Sequence, residues 1–457
     1  MARSSWRFEN YLPESGVGQL LRILLGLIRL SVAVVLVWLA FTWRTPLLAS
    51  IREAVFIGLI AISLALIVAE LLTLRSSPRS TSIRRLSLLA LLTATFALLS
   101  TLAIETRFQW MRYVVLNADT AELEPLGRHF IVGYRSDKEL RRLIENKAIG
   151  GVFLSARNVA ERSVSEIGQK IGSWQQMRRE QNLPPLWIST DQEGGPVSRM
   201  SPPLPRQRAL AAVVAEQTDD ATRIRAARDY ANTQGQALHA LGVNLNLAPV
   251  VDINHNVIKA NDRYSQIYRR AISEDPQIVA HAAGAYCAGL SDNGINCVLK
   301  HFPGLGRVVN DTHLETADLD TALASLNETD WVPFRTLMNN PNRFIMLAHV
   351  RLTALDRERP ASFSPAVVEN LLRKEWGFQG VLLTDDATMG AFYGSPWGIT
   401  GGALQALNAG VDLILISYDT DQYFVVMHAL LQAARKGTLD QNRQRESEKR
   451  LNAAKRE

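Results

Sequence analysis

Eight short apolar runs, separated by segments with helical periodicity, constrain the fold of this chain more than any other feature. Continuous apolar strands that alternate with helices are typical of parallel strands covered on both faces. Eight such units in about 300 residues fit a (β/α)₈ barrel, and an open doubly wound sheet is the alternative. The predicted strands are 129–134, 150–156, 185–190, 243–253, 296–302, 343–350, 380–386 and 412–417.

Three long apolar segments precede this pattern, at residues 23–43, 54–74 and 86–104. Each approaches the roughly 20 residues that a helix needs to cross a bilayer. Arg29 interrupts the first segment, so its side chain must reach the interface or face a neighbouring helix. A cleaved signal peptide is disfavoured, because two further apolar segments follow. We therefore predict an N-terminal region, 1–105, that crosses the cell membrane as three helices.

The charges between the second and third segments predict the orientation of this region. That loop carries Arg75, Arg79, Arg84 and Arg85. Positive loops tend to stay in the cytoplasm, so this loop and the N-terminus are expected inside. With three spans, everything after residue 105 is then expected on the extracytoplasmic side of the membrane.

The remaining chain is predicted to form a connector, 106–125, the barrel, 126–440, and a charged, solvated tail, 441–457. Residues 1–112 hold 12 arginines, no lysine and 5 glutamates, whereas the whole chain carries a formal charge of +6. The basic excess therefore belongs to the membrane region, which favours a lipid bilayer and not a nucleic acid as the partner. Cys287 and Cys297 match no disulfide framework or zinc spacing, and they are predicted to be small buried hydrophobes.

Polar residues emerge where the apolar strands end. In a barrel the carboxyl ends of the strands share one rim, and active sites gather there. If the end of the seventh predicted strand, 380–386, is extended, the side chains of Asp385 and Asp386 point in opposite directions. Only one of them can then face the barrel mouth. The rim residues are Asp191, Asp252, Lys300, His301, His349, Asp385 and Asp386.

The loop "NDTH" adds Asp311 and His313 to this rim. A carboxylate beside an imidazole fixes its tautomer and raises its basicity, as a proton shuttle requires. A carboxylate nucleophile together with such a shuttle is the minimal set of groups for a retaining glycosidase. A metal site built from His301, His313 and His349 is a weaker alternative, since no close ligand spacing supports it.

The motifs "KHFPGLG", "NDTH", "STDQEGGPVSRM", "IMLAHV" and "GFQGVLLTDDATMGA" are those of a known family. Over about residues 126–420 the chain resembles the β-N-acetylhexosaminidases of glycoside hydrolase family 3. The resemblance implies a (β/α)₈ barrel, Asp385 as nucleophile, and His313 paired with Asp311 as acid/base. It implies no cofactor and no metal.

The same resemblance implies a set of sugar-binding positions. Two departures lie close to them: Leu305 stands where the family has a second histidine, and Pro196 where it has an arginine. Each departure removes a polar group near the site, which suggests altered substrate preference or reduced activity. The implied sugar-binding residues are Asp191, Arg199, Arg270, Lys300, His301 and His349.

The chain is thus expected to be a membrane-anchored, retaining exo-β-N-acetylglucosaminidase that acts on terminal β-linked N-acetylhexosamine of cell-wall-type glycans. Family branches specific for glucosides carry a second domain with a glutamate acid/base, whereas only about 40 residues follow the last predicted strand here. This length favours the hexosaminidase branch. The alternative is a membrane-anchored glycan-binding barrel with reduced or lost catalysis, which Leu305 and Pro196 motivate.

Overall fold

The computed structural model describes residues 16–76, 81–258, 262–340 and 343–454. The chain divides into two compact units, 1–110 and 111–457. Arg79, one of the four arginines used to predict the membrane orientation, lies outside the described residues.

The first unit is built from helices. They are α1 (Gly16–Thr42), α2 (Arg52–Ser76) and α3 (Thr81–Leu116), with a short 3₁₀ turn at Pro46–Leu48. All three helices are long and apolar enough to cross a membrane. The second and third predicted spans lie inside α2 and α3, and the first, 23–43, ends one residue beyond α1. The predicted connector is taken up by the end of α3 and by α4 (Thr120–Gly127).

The charged residues within the first two apolar segments, Arg29 and Glu70, contact each other. Arg29 Nε lies 3.2 Å from Glu70 Oε1, and the Arg29 guanidinium also donates to Thr73 Oγ1 at 3.0 Å. The Glu70 side chain is fully buried. Charges in an apolar helix pair are costly unless they are paired, so this contact explains how both segments tolerate them.

The second unit contains a closed barrel of eight parallel strands, as predicted. The order around the barrel is β1-β12-β11-β9-β7-β6-β3-β2. Because β1 pairs with both β2 and β12, the sheet has no edge, and the open doubly wound alternative is wrong. The strands are β1 (Phe130–Val132), β2 (Gly151–Leu154), β3 (Trp187–Thr190), β6 (Leu245–Asn246), β7 (Asn296–Phe302), β9 (Phe344–Leu347), β11 (Val381–Asp386) and β12 (Leu413–Ile416).

Apolar side chains at alternate strand positions fill the barrel interior. Val381 and Leu383 of β11 belong to this cluster, as do Leu413 and Leu415 of β12. The pairing of β11 with β12 shifts register between Leu383 and Asp386, so the inward row of apolar side chains does not by itself give the direction of Asp385. The imidazoles of His301, His349 and His313 act on the Asp385 carboxylate, which indicates that it faces the mouth of the barrel.

Helices surround the barrel, and two small sheets extend from it. Antiparallel strands β4 (Gln192–Gly194) and β5 (Val197–Ser198) form a hairpin, and β8 (Ala317–Leu319) pairs with β10 (Val350–Leu352). Residues Ala366–Glu375 form a π-helical segment, and Ala361–Phe363 form a 3₁₀ turn. The α-helices are α5 (Asp137–Glu145), α6 (Ala156–Val159), α7 (Val164–Glu180), α8 (Leu210–Ala215), α9 (Asp220–Ala240), α10 (Ile267–Arg270), α11 (Pro276–Ser291), α12 (Leu323–Glu328), α13 (Val332–Leu337), α14 (Gly390–Tyr393), α15 (Gly398–Ala409) and α16 (Asp421–Arg435).

The charged C-terminal segment, expected as a solvated tail, instead forms helix α17 (Gln441–Ala453). Leu451 belongs to the buried core, and Arg450 lies 2.8 Å from the fully buried carboxylate of Asp412. Arg373 binds the same carboxylate at 2.6 Å. Burial raises the pKa of Asp412, but Arg373 and Arg450 bring it below its usual value. One charge of this segment, Arg450, therefore neutralises a buried carboxylate next to β12.

The two cysteines, expected as unpaired buried hydrophobes, form a disulfide. Cys287 lies on α11 and Cys297 on β7, with a Cα–Cα distance of 5.4 Å. The helix leads directly into the strand and packs against it, so residues separated by 10 positions come together. Two cysteines with this spacing carry no recognisable pattern, which is why the sequence did not predict the bond.

Candidate active site

The predicted rim residues lie at the carboxyl ends of neighbouring strands. Lys300 and His301 lie near the end of β7, and Asp385 lies near the end of β11. Asp191 follows β3, and His349 follows β9. These ends open onto one side of the parallel barrel, as the strand pattern predicted.

Asp385 and Asp386 have different surroundings. The Asp386 carboxylate accepts hydrogen bonds from Thr388 and from the hydroxyl and amide of Ser417, so it holds the β11 end to the end of β12. Asp385 Oδ1 accepts one hydrogen bond, at 2.8 Å, from the Asp386 amide. Asp385 therefore keeps acceptor capacity for a ligand, and Asp386 does not.

Histidines control the charge of Asp385. Burial raises the pKa of this carboxyl group, but the imidazoles of His301, His349 and His313 and the Asp386 amide together bring it below its usual value. An Asp with a lowered pKa is ionised at neutral pH. Asp385 is thus a half-buried, negatively charged carboxylate near the end of β11.

Asp311 and His313 form a hydrogen-bonded pair, as predicted. His313 Nδ1 lies 2.9 Å from Asp311 Oδ1, and the His313 amide donates to the same oxygen at 3.0 Å. Asp311 is buried, whereas the His313 side chain is 38% exposed. Because Nδ1 is held by the carboxylate, Nε2 is the nitrogen left to exchange a proton with a ligand.

Two further groups hold Asp311. The amide of Tyr264 donates to Oδ2 at 3.0 Å, and the hydroxyl of Ser265 donates to Oδ1 at 3.0 Å. Burial raises the pKa of Asp311, but the hydrogen bonds and charge of His313 and the Tyr264 amide hold it well below its usual range. Asp311 is therefore a permanently charged acceptor that orients the imidazole.

The loop that carries this pair is fastened beside β11. The amide of Gly390 donates to the His313 carbonyl at 2.8 Å, and the amide of Ala391 donates to the Thr312 carbonyl at 3.1 Å. A Cβ at position 390 would lie only 2.2 Å from the carbonyl oxygen of Leu314. Glycine at 390 thus permits the close approach of the loop that carries His313 to the segment that follows β11.

A second polar cluster lies on the β3 and β7 side. Lys300 Nζ lies 2.8 Å from Asp191 Oδ1 and 2.6 Å from Glu193 Oε1. Arg270 donates to both oxygens of Glu193, at 2.9 and 2.7 Å. Lys300 and Glu193 are buried, so the positive and negative groups compensate each other inside the site.

The charges of this cluster are fixed by their neighbours. Burial raises the pKa of Glu193, but Arg270 and Lys300 hold it well below its usual range. Burial lowers the pKa of Lys300, and the carboxylates of Asp191 and Glu193 more than reverse that effect. The cluster can therefore offer charged donors and acceptors to the hydroxyl groups of a sugar.

His301 is held by a buried carboxylate. Its Nδ1 lies 2.7 Å from Asp252 Oδ2, and Asp252 also accepts a hydrogen bond of 2.7 Å from the Leu305 amide. Leu305 thus supports the turn through its backbone, although its side chain is apolar. The presence of leucine at position 305, where the family has a histidine, therefore leaves the hydrogen bond between His301 and Asp252 in place.

Two predicted sugar-binding residues, His349 and Arg199, lie outside the polar cluster around Lys300 and Glu193 and make structural contacts. His349 is buried, and its ring nitrogens lie 2.8 Å from Ser362 Oγ and 3.0 Å from the Asp386 carbonyl. Arg199 is exposed, and its amide donates to the Asp191 carbonyl at 3.0 Å. In this conformation His349 supports the end of β11, and Arg199 supports the β4–β5 hairpin. Pro196 is exposed between the strands of that hairpin.

The three rim histidines bind different groups. His301 binds Asp252, His313 binds Asp311 and His349 binds Ser362. Among residues 16–76, 81–258, 262–340 and 343–454, no group of three or more His, Cys, Asp or Glu side chains could hold a metal ion.

Sequence reasoning missed Glu193 and the Tyr264–Ser265 pair. The sequence contained a signal for Glu193: it lies two residues after Asp191, and residues two apart in an extended segment lie on one face. Ser265 had none, since its partner Asp311 is 46 positions away.

Comparison with known proteins places this site in context. The model of the family described as "Glycosyl hydrolase family 3 N terminal domain" matches residues 115–454. A beta-hexosaminidase of Nitrosomonas eutropha is 36% identical over 283 residues, which cover 61% of this chain and 76% of that protein. A beta-hexosaminidase of Stenotrophomonas maltophilia is 34% identical over 295 residues, which cover 63% of this chain and 82% of that protein.

Solved structures of glycoside hydrolase family 3 are also similar to this chain. A glycoside hydrolase family 3 beta-N-acetylglucosaminidase from Paenibacillus sp. is 31% identical with a TM-score of 0.64, covering 72% of this chain and 61% of that one. A family 3 glycosyl hydrolase from Mycobacterium smegmatis is 31% identical with a TM-score of 0.63, covering 74% of this chain and 97% of that one.

Proposed function

The chain belongs to glycosyl hydrolase family 3 and is a glycoside hydrolase, and from that premise we propose that it is a retaining exo-β-N-acetylglucosaminidase. One observation carries the proposal: an ionised Asp385 and the His313–Asp311 pair lie on the same rim, on loops joined by the Gly390 hydrogen bond. A nucleophile and a proton shuttle are the two groups that hydrolysis with retention requires.

In the first step an Asp385 oxygen attacks the anomeric carbon of the bound sugar. A bond forms between that oxygen and the carbon, while the bond from the carbon to the glycosidic oxygen breaks. The protonated His313 gives its Nε2 proton to the departing oxygen, which leaves as a hydroxyl group. Asp311 remains ionised and stabilises the imidazolium before transfer.

In the second step a water molecule attacks the same carbon. Neutral His313 takes one proton of the water, the bond to Asp385 breaks, and the carboxylate is regenerated. Two displacements at one carbon leave the configuration of the sugar unchanged. His313 ends the cycle protonated, as it began.

The proposed substrate is a terminal β-linked N-acetylhexosamine of a cell-wall-type glycan. The names of the relatives support the 2-acetamido sugar. The cluster of Asp191, Glu193, Arg270 and Lys300 supports a ligand rich in hydroxyl groups, because its donors and acceptors converge on one side of the site.

A panel of aryl glycosides that differ only at the 2-position tests this function. Full-length protein in detergent is expected to hydrolyse the β-N-acetylglucosaminide with a kcat/KM about 100-fold above that for the β-glucoside, because sites built to bind a polar group discriminate strongly against its absence. Proton NMR should show the β-anomer as first product. A first-formed α-anomer would contradict retention, and equal rates on both glycosides would contradict the substrate assignment.

We also propose that the N-terminal region crosses the membrane three times and holds the barrel outside the cytoplasm. Arg75 near the end of α2, Arg84 and Arg85 near the start of α3, and Arg79 in the sequence between the two helices support this orientation, because positive segments prefer the cytoplasm. The Cys287–Cys297 disulfide supports it independently, because disulfides persist mainly in oxidising compartments.

Reporter fusions test the topology. Alkaline phosphatase, which is active only outside the cytoplasm, is expected to be active when fused after residue 457. The same reporter fused after residue 80 should be silent, since that loop is expected inside. Stable fusions with the opposite pattern would show that the barrel is cytoplasmic.

A further inference from the structure

Two loops beside the catalytic pair expose apolar side chains. Ile258 and Tyr264 are 66% and 57% exposed, and Val309 and Leu314 are 45% and 44% exposed. Isolated exposed apolar residues are ordinary on a protein surface, but a group of them beside a binding site indicates contact with a ligand. These four residues are here named the apolar collar.

The two loops of the apolar collar are joined at Asp311. The amide of Tyr264 and the hydroxyl of Ser265 both bind its carboxylate. The same two stretches of chain line one small cavity, to which Asp262, Ser265, Val308 and Thr312 contribute. Tyr264 and Ser265 are therefore fixed to Asp311, the residue that orients His313.

Tyr264 is the residue of the apolar collar whose ring lies against the His313 ring. Its ring centroid lies 5.5 Å from that of His313, with the planes inclined by 43°. Its backbone amide is held by Asp311, while most of the ring surface faces solvent. An aromatic ring fastened through its backbone and left open on its face is available to receive a planar apolar surface.

The proposed mechanism determines what that surface is. His313 protonates the departing oxygen, so the group bonded to that oxygen must lie beside the His313 ring. We infer that Tyr264 forms the leaving-group side of the site, where its ring stacks on the apolar face of the departing sugar. This inference rests on the proposed function, and it predicts that the natural leaving group is a saccharide.

A pair of substrates with the same N-acetylglucosamine but different leaving groups tests the inference. N,N′-diacetylchitobiose releases a sugar that can reach Tyr264, whereas 2-acetamido-2-deoxy-β-glucosyl fluoride releases an ion too small to do so. In full-length Tyr264→Ala, kcat/KM for the disaccharide is expected to fall about tenfold, because one contact in the transition state is lost. The fluoride should react within about twofold of wild type.

Two variants complete the design. Tyr264→Phe keeps the ring and should rescue most of the disaccharide rate that Tyr264→Ala loses. Tyr418→Ala removes another tyrosine of similar exposure, 43%, which follows β12, and should change the disaccharide rate by less than about twofold.

The outcomes separate the inference from the function it rests on. An equal loss on both substrates, or no loss on either, overturns the role of Tyr264 while the wild-type activity still supports the proposed function. A wild-type protein inactive on both substrates overturns the proposed function and this inference with it. Thermal unfolding of each variant verifies that Tyr264→Ala remains folded.

Discussion

Replacement of Asp385 by alanine is expected to lower kcat roughly 10⁴-fold or more, the largest effect of any single substitution at the site. In the proposed mechanism this carboxylate forms a bond to the anomeric carbon, and its neighbour Asp386 is not free to replace it. Asp386 is occupied by Thr388 and Ser417. Hydrolysis of an aryl β-N-acetylglucosaminide measures the loss, and thermal unfolding should show little change.

Asp386→Asn is the matched control for this substitution. Its carboxylate accepts hydrogen bonds from two elements, so its replacement should lower the melting temperature as well as the activity. Azide added to Asp385→Ala should restore turnover and give the α-glycosyl azide, because one displacement inverts the carbon. Near-wild-type hydrolysis by Asp385→Ala without azide would refute the assignment of the nucleophile.

Replacement of His313 by alanine is expected to lower kcat/KM about 10²- to 10⁴-fold on substrates with poor leaving groups. The loss should nearly vanish with the glycosyl fluoride, since fluoride leaves without a proton. A matched control is His281→Ala, because His281 also pairs with a carboxylate, Asp220 at 2.7 Å, on the surface. Equal losses on both substrates would exclude His313 as the general acid.

The pH dependence of the same variants gives a second measurement. Asp385 must be ionised to attack, and its pKa lies below the ordinary value of 3.8. The acid limb of kcat/KM that depends on this carboxylate should therefore lie at a lower pH than for an unperturbed aspartate. The alkaline limb requires protonated His313, so it should disappear in His313→Ala. An unchanged alkaline limb in that variant would assign the limb to another group.

The sequence alone determined the barrel and the rim at which its polar residues gather. Apolar runs and helical periodicity are local patterns, and burying them in parallel strands leaves few arrangements. The eight predicted strands all form, although the fourth is reduced to Leu245–Asn246. Val381 and Leu383 fill the interior, but β11 shifts register between Leu383 and Asp386, so the contacts of the two carboxylates, and not strand alternation, distinguish Asp385 from Asp386.

Only the tertiary structure decided which distant groups meet. Glu193 binds Arg270 across 77 positions, Ser265 binds Asp311 across 46, and Arg450 binds Asp412 across 38. Hydrogen bonds and ion pairs require polar atoms within about 3 Å, and local periodicity does not encode such distances between remote segments. The same reason explains why His349 and Arg199, both identified from motifs, differ in their contacts from the other sugar-site residues.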